Sequence, residues 1–264
     1  MKNRGRHFYS IFLCFFLISI GFIALPSYAL EILLEPATVQ RSIGGKARVR
    51  IYANSAENLI SMGVKVSFNP SVVQVETAAK YESFENGWIM DADGNPTTTN
   101  DQYKLPLVEI DNQGGKVAMM GGRLIGQDTM GLSGKVLLGF IDFVAVGNGS
   151  SNLNVDLFAY HPNHPTQTFA NFVKLDGTVT EPVNIPANLG FVYVGDDACE
   201  CNLNLDTSCN ILDYQLFIQN WGKITCKEPT TFCACDLNND GSCNILDYQL
   251  FIKHWGSSTC RVSP

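Results

Sequence analysis

One 34-residue unit is written twice near the C-terminal end of this 264-residue chain. Cys199, Cys201, Cys209 and Cys226 recur as Cys233, Cys235, Cys243 and Cys260, each displaced by 34. The ten residues from Cys209 to Ile218 (CNILDYQLFI) are identical to those from Cys243 to Ile252. Each copy carries Asp and Asn at alternate positions directly before a helix-like stretch. That arrangement predicts a small paired module of calcium-type loops rather than part of a larger core.

The second copy is the more complete. Asp236, Asn238, Asp240, Asn244 and Asp247 stand at positions 1, 3, 5, 9 and 12 of a 12-residue loop, with Gly241 at position 6 for the sharp turn and Ser242 at position 7 offering its carbonyl. A hard cation needs six to eight oxygens around one point, and an oxygen at every second residue lets a curling loop supply them. The first copy keeps Asn204, Asp206, Ser208, Asn210 and Asp213, but Asn202 replaces the first Asp and Thr207 replaces the glycine. Two carboxylates against three predict calcium at both loops and tighter binding at the second. A threonine where positive φ is favoured also predicts strain in the first.

The eight cysteines of the repeats lie in a chain whose N-terminus looks secretory. Lys2, Arg4 and Arg6 precede an apolar run from Ile11 to Leu25, then Pro26 and the small-residue exit Ser27-Tyr28-Ala29. Residues 1–29 therefore read as a signal peptide. A retained anchor is the alternative, since Phe8 to Leu25 is nearly long enough to span a bilayer. Cleavage takes Cys14 with it and leaves a chain of net charge −10, expected outside the cell, with no electrostatic reason to bind nucleic acid or an anionic membrane. An even cysteine count in a small secreted segment favours disulfides. Zinc competes on ligand number, but C-x-C is tighter than usual zinc spacings and each set brackets a carboxylate loop. The connectivity does not follow from the spacing.

Residues 30–195 read as an all-β domain. Arg48–Tyr52 and Val64–Phe68 alternate polar and apolar, and Lys135–Val146 suits a strand buried on both faces. Shorter strands are expected at 31–35, 72–76, 107–111, 116–120, 153–158, 172–175 and 191–194, separated by turns such as Gly114-Gly115 and Asp176-Gly177. Some ten short strands without long helices imply a sandwich or jelly roll. Residues 196–198 are a short link to the cysteine module, 199–264.

Two family resemblances follow from these motifs. Gly63–Val75 (GVKVSFNPSVVQV), Gly134–Val146 ending in Phe143-Val144-Ala145-Val146, and Phe169-Ala170-Asn171 resemble segments of cohesin domains, with 80–105 as an insertion. The repeats resemble dockerin domains, whose duplicated units carry D-x-N-x-D-G-x-x-N-x-x-D and one helix. Together they imply a mainly β, cohesin-like jelly-roll sandwich followed by a small helical calcium-loop domain. By the same resemblance, Ile211, Leu212, Gln219 and Asn220, then Ile245, Leu246, Lys253 and His254, would meet a partner. Many dockerins carry Ser-Thr at the first two of these positions; Ile-Leu implies a more apolar surface.

Within each helix, Tyr214, Phe217, Ile218 and Trp221 stand at i, i+3, i+4 and i+7 and should face the sister unit. Gly222 and Gly256 are placed to end the helices. Three other signals are weaker. His161 and His164 form no metal motif, Asp91–Asn95 reads as a turn, and Tyr81, Phe84 and Trp88 are either core cover or a sugar-stacking trio.

The sequence thus predicts a secreted, non-enzymatic assembly protein with cohesin- or dockerin-bearing partners in an extracellular polysaccharide-degrading complex. A carbohydrate-binding sandwich tethered by a dockerin is the alternative, and a glycoside hydrolase with dispersed carboxylates is the third reading. If the two domains recognise each other, the short link favours head-to-tail self-association over closure within one chain.

Overall fold

The structure is a computed structural model, and it describes residues 29–84, 89–90, 103–104, 108–122, 130–157, 172–180, 182, 185–196, 198–227 and 233–260. The leader, Trp88, Asp91–Asn95, His161, His164 and Phe169–Asn171 lie outside the described residues.

The strands are β1 (Glu31–Glu35), β2 (Thr38–Arg41), β3 (Lys46–Ser67), β4 (Val73–Lys80), β5 (Ile89–Met90), β6 (Tyr103–Lys104), β7 (Val108–Asp111), β8 (Lys116–Gly122), β9 (Leu132–Ala145), β10 (Gly149–Leu157), β11 (Val173–Lys174) and β12 (Gly190–Val194). Two helices follow, α1 (Ile211–Ile218) and α2 (Ile245–Lys253). Residues 48–52 and 64–68, expected as separate strands, belong to one 22-residue strand that runs to Ser67. Ser55 and Asn58 take left-handed φ of 57° and 49°, and the pairing with β9 slips register around them. Such bulges bend a strand without ending it. The first half of β3 can therefore pair with β1 and β9, and the second half with β8 and β10.

The two halves share one core. Val49 and Ile51 from the first half join Val64 and Val66 from the second, with Leu138, Ile141 and Phe143 of β9 and Val192 of β12. Each large apolar side chain removed from water contributes about 1.5–3 kcal/mol. Phe84, in the short 3-10 turn Glu82–Phe84, is fully buried, and Tyr81 packs against the same core. These two aromatics cover the interior, as the plainer of the two sequence readings had it. β2 was not among the expected strands. It runs parallel to β12, in a register that pairs Thr38 with Phe191 and Arg41 with Val194.

In the repeat module the cysteines pair as Cys201–Cys209 and Cys235–Cys243 within the units, and as Cys226–Cys233 and Cys199–Cys260 between them. The disulfide reading holds, and the connectivity has a symmetry that spacing could not supply. The last cysteine of each unit bonds the first cysteine of the other. Chain-entropy arguments give the Cys199–Cys260 closure about 4 kcal/mol and each eight-residue closure about 2.5 kcal/mol. The units are also joined by reciprocal backbone bonds: Cys209 donates to Ser257 and accepts from Gly256, while Cys243 donates to Lys223 and accepts from Gly222.

Phe217 and Phe251 meet at 4.8 Å in the centre of the module and are fully buried. Tyr214 packs toward Trp255 and Tyr248 toward Trp221. The expected apolar stripe needs correction here. Ile218 is 46% exposed and Trp221 48% exposed, so of the four only Phe217 is fully enclosed and Tyr214 half-buried. Helices of two turns cross at one point, and residues away from that point remain in solvent. Gly222 and Gly256 follow the helices at φ of 82° and 81°, the left-handed stop assigned to them.

Candidate metal loops and partner face

Each loop is drawn in by the carboxylate at its twelfth position. Asp213 and Asp247 are fully buried. Asp213 Oδ1 accepts from the Leu203 and Asn204 backbone N–H groups at 2.8 and 3.0 Å, and its Oδ2 accepts from Asn210 N–H at 2.8 Å. Asp247 repeats this with Leu237, Asn238 and Asn244 at 2.8, 3.1 and 2.9 Å. Asn210 and Asn244 cap the helices, each side-chain oxygen accepting from the N–H two residues on. These reciprocal caps start two short helices at a defined residue and tie each to its loop.

The expected ligand residues are tied by hydrogen bonds into two loops with different electrostatics. In the second loop Asp236 accepts from Asp240 N–H at 3.0 Å and Gly241 N–H at 3.2 Å. Asp240 accepts from Ser242 N–H and the Asn238 amide. Burial, then the nearby Asp247 and Asp240 charges, push the Asp236 carboxyl up to about 6. Burial likewise raises Asp247, against its backbone hydrogen bonds. Carboxylates crowded together and partly dried favour a bound proton or a bound cation.

The first loop lacks that crowding. Asn202 Nδ2 donates to the Asp206 carbonyl at 2.7 Å, whereas Asn202 Oδ1 is buried without a hydrogen-bond partner. Asp206 lies below the usual carboxylate range because Ser208 N–H and the Asn204 amide donate to it. Thr207 is not strained, contrary to expectation. It is absent from the positive-φ residues, where Gly241 stands at 100°, so the first loop turns differently at position 6. The left-handed residue common to both loops is position 4, Leu205 at 58° and Asn239 at 55°.

By donor chemistry both loops carry oxygens of the kind that calcium accepts, the second including three carboxylates and the first the orphaned Asn202 oxygen. Among the described residues no group of three or more His, Cys, Asp or Glu side chains is placed to hold a metal alone. A cation here would draw on Asn side chains and backbone carbonyls as well.

The residues assigned to a partner lie at the ends of the loops and along the helices that follow. Ile211 and Ile245 are each 57% exposed, and Leu212 and Leu246 are 52% and 51% exposed. The near-identity of these values shows how closely the second unit repeats the first. Both leucines are half in contact with solvent rather than enclosed in the module's core. Gln219 and Lys253 are exposed, Asn220 and His254 half-buried. The symmetry ends at Lys253, whose Nζ reaches Ser42 Oγ at 3.3 Å across to the β domain, while Asn220 accepts from Lys223 within its own unit.

That contact belongs to a domain junction which sequence reasoning did not find. Ser42 N–H donates to Glu200 at 2.9 Å, and Cys199 N–H donates to Gln40 at 3.2 Å. Arg50 donates to the Cys226 carbonyl at 3.0 Å, and Arg48 to the Lys227 carbonyl. Arg48 also forms a two-pronged pair with Asp142, both bonds 2.7 Å, with Thr77 and Asn239 donating to the same carboxylate. Burial works against the Asp142 charge, but these donors outweigh it and hold the carboxyl below its ordinary range. Alternating Arg48 and Arg50 looked like ordinary strand-surface residues, and no local signal tied them to residues some 180 positions away.

The dockerin type I domain matches residues 203–255. No curated protein matches the chain. Among solved structures the chain is similar, over its N-terminal part, to a type I cohesin–dockerin complex from Clostridium thermocellum, at 10% identity and TM-score 0.44, covering 64% of this chain and 100% of that one. A non-cellulosomal cohesin from Archaeoglobus fulgidus gives 13% identity and TM-score 0.39, covering 64% and 93%. A type I cohesin from Pseudobacteroides cellulosolvens gives 15% and 0.39 over the same shares. The repeat pair with its two loops and its reciprocal caps is the segment of this chain that the dockerin type I family model matches.

Proposed function

We propose that the chain is a secreted, calcium-binding assembly protein, without an enzymatic role of its own, that works through cohesin–dockerin recognition. The observation that carries this reading is the family match at residues 203–255 together with the solvent-facing pair Ile211-Leu212 and its copy Ile245-Leu246. Dockerin type I domains bind calcium, and both loops here offer oxygens in the required spacing. Four exposed branched apolar side chains in two symmetric pairs form the kind of patch that marks a protein-binding face. The β domain, on its sequence motifs, is the counterpart module that receives a dockerin from another chain. The basic, apolar and small-residue N-terminus supports delivery outside the cell, where a polysaccharide-degrading complex would use such a connector.

The test is a calcium-dependent pull-down with the full chain as prey and a type I cohesin as bait. Retention with calcium, loss with chelator and loss in Leu212→Asp/Leu246→Asp support the reading. Retention by insoluble polysaccharide and by no cohesin would favour the carbohydrate-binding alternative. Calcium-dependent growth in mass by light scattering, abolished by the same double variant, would establish head-to-tail self-association through this face.

A further inference from the structure

The domain junction, made mainly by Cys199, Glu200, Cys226, Lys227 and Lys253, also takes in the second loop, the stretch whose oxygens suit a cation. Leu237 and Asn239 of that loop are buried, and Asn239 Nδ2 donates to Asp142 of β9 at 3.3 Å. Arg50 of β3 donates to the Cys226 carbonyl, and Cys226 N–H in turn donates to the Gly241 carbonyl at 2.9 Å. Positions 4 and 6 of the second loop are therefore gripped from outside, one directly and one through Cys226. The first loop has the matching bond at position 6, from Cys260 N–H to the Thr207 carbonyl at 2.9 Å, but its position 4, Leu205, is 42% exposed.

We propose that calcium occupancy of the second loop and docking of the two domains are coupled, each favouring the other. The proposal rests on the calcium reading above. The loop conformation with Asn239 at φ 55° and Gly241 at φ 100° brings the Asp240 and Gly241 N–H groups to Asp236. A cation would select that conformation from within, through Asp236, Asp240 and Asp247. The β domain selects it from outside, through Asn239 and Cys226. Two ligands that prefer the same conformation bind with positive coupling, and the coupling is reciprocal. Arg48 is already paired with Asp142, whereas Arg41 and Arg50 interact electrostatically with Asp236, an opposing contribution that the shared loop conformation must outweigh. Calcium bound at the second loop would thus stiffen the whole chain and fix the direction in which the helix face points.

The experiment uses the full chain and calcium chloride alone, with calorimetric titration and amide exchange. Calcium is expected to slow exchange in residues 38–50 of β2 and β3, which contain none of the ligand residues. Asn239→Gly keeps the left-handed backbone open and removes the amide. Arg50→Met removes the guanidinium from the other side of the junction. Each is expected to weaken the tighter calcium site about five- to tenfold, while Ser71→Ala, at an exposed turn, leaves it unchanged. Unaltered calcium affinity in both variants, with exchange at 38–50 indifferent to calcium in a parent chain that binds it, overturns the coupling and leaves the calcium reading intact. A parent chain that takes up no calcium removes that reading and the coupling with it. The exchange comparison needs only the parent chain, so a poorly folding variant does not remove the test.

Discussion

The two loops of the repeat module share a spacing and a fold but differ in charge and surroundings. The first has Asn202, an uncharged amide that bonds the loop's own Asp206 carbonyl, and an exposed Leu205. The second has Asp236, held toward two backbone N–H groups among other carboxylates, and a buried Asn239 that reaches the β domain. Duplication kept what builds the module, while divergence fell on what the loop binds and what it rests on. Near-identical sequence in the helices therefore coexists with unequal charge and surroundings in the loops.

The first way to test this comparison concerns what the units share. Phe217→Ala and Phe251→Ala should each cost about 3–5 kcal/mol, because each removes a ring from the centre of the same small core. Urea melts of the two variants should agree; a large difference would mean the units are not equivalent in packing.

Calcium affinity should then separate the loops. Asp236→Ala is expected to weaken the tighter site about a hundredfold or more, since site affinity follows ligand charge count. Asp206→Ala should affect only the weaker site. Two equal tight sites in the parent by calorimetry would break the comparison outright. Conversely, Asn202→Asp should tighten the first loop about tenfold, which makes the loops more alike.

A pH titration sharpens the same contrast. Asp236 is raised to about 6 in the folded chain, above its ordinary value of 3.8. A carboxylate raised on folding makes the ionised, metal-free state less stable. Without calcium, the module should therefore gain stability as pH falls through about 6 toward 4, and lose it again as pH rises. Protons compete with calcium at that site, so the tighter affinity should weaken between pH 7 and 5. The first loop, whose Asp206 is lowered, should change less over that window. Isothermal titration at pH 7, 6 and 5 checks this.

The smallest stability effects belong to the helix face. Leu212→Ala and Leu246→Ala should each alter folding by less than about 0.5 kcal/mol, since both leucines are half-exposed and away from the Phe217–Phe251 contact. Their effect should appear in cohesin binding alone. Unequal losses there would show how far the Lys253–Ser42 contact makes the two halves of the face inequivalent.

The sequence by itself determined the module: a 34-residue repeat, alternate oxygens and glycine stops are local patterns, and local patterns need no knowledge of the rest of the chain. It also determined the β class of residues 30–195 and most strand positions, through period-two alternation. Tertiary structure alone decided three things. It made β3 continuous, because Ser55 and Asn58 bend the chain where no glycine or proline marks a bulge. It closed the cysteines into a reciprocal ring, because eight cysteines admit many pairings and only the packed halves bring partners together. It set the repeat module on Arg48, Arg50 and Asp142, through contacts between residues some 100 to 180 positions apart that no spacing encodes. Long-range polar contacts depend on where two surfaces meet, and surface residues carry little periodic signal before they meet.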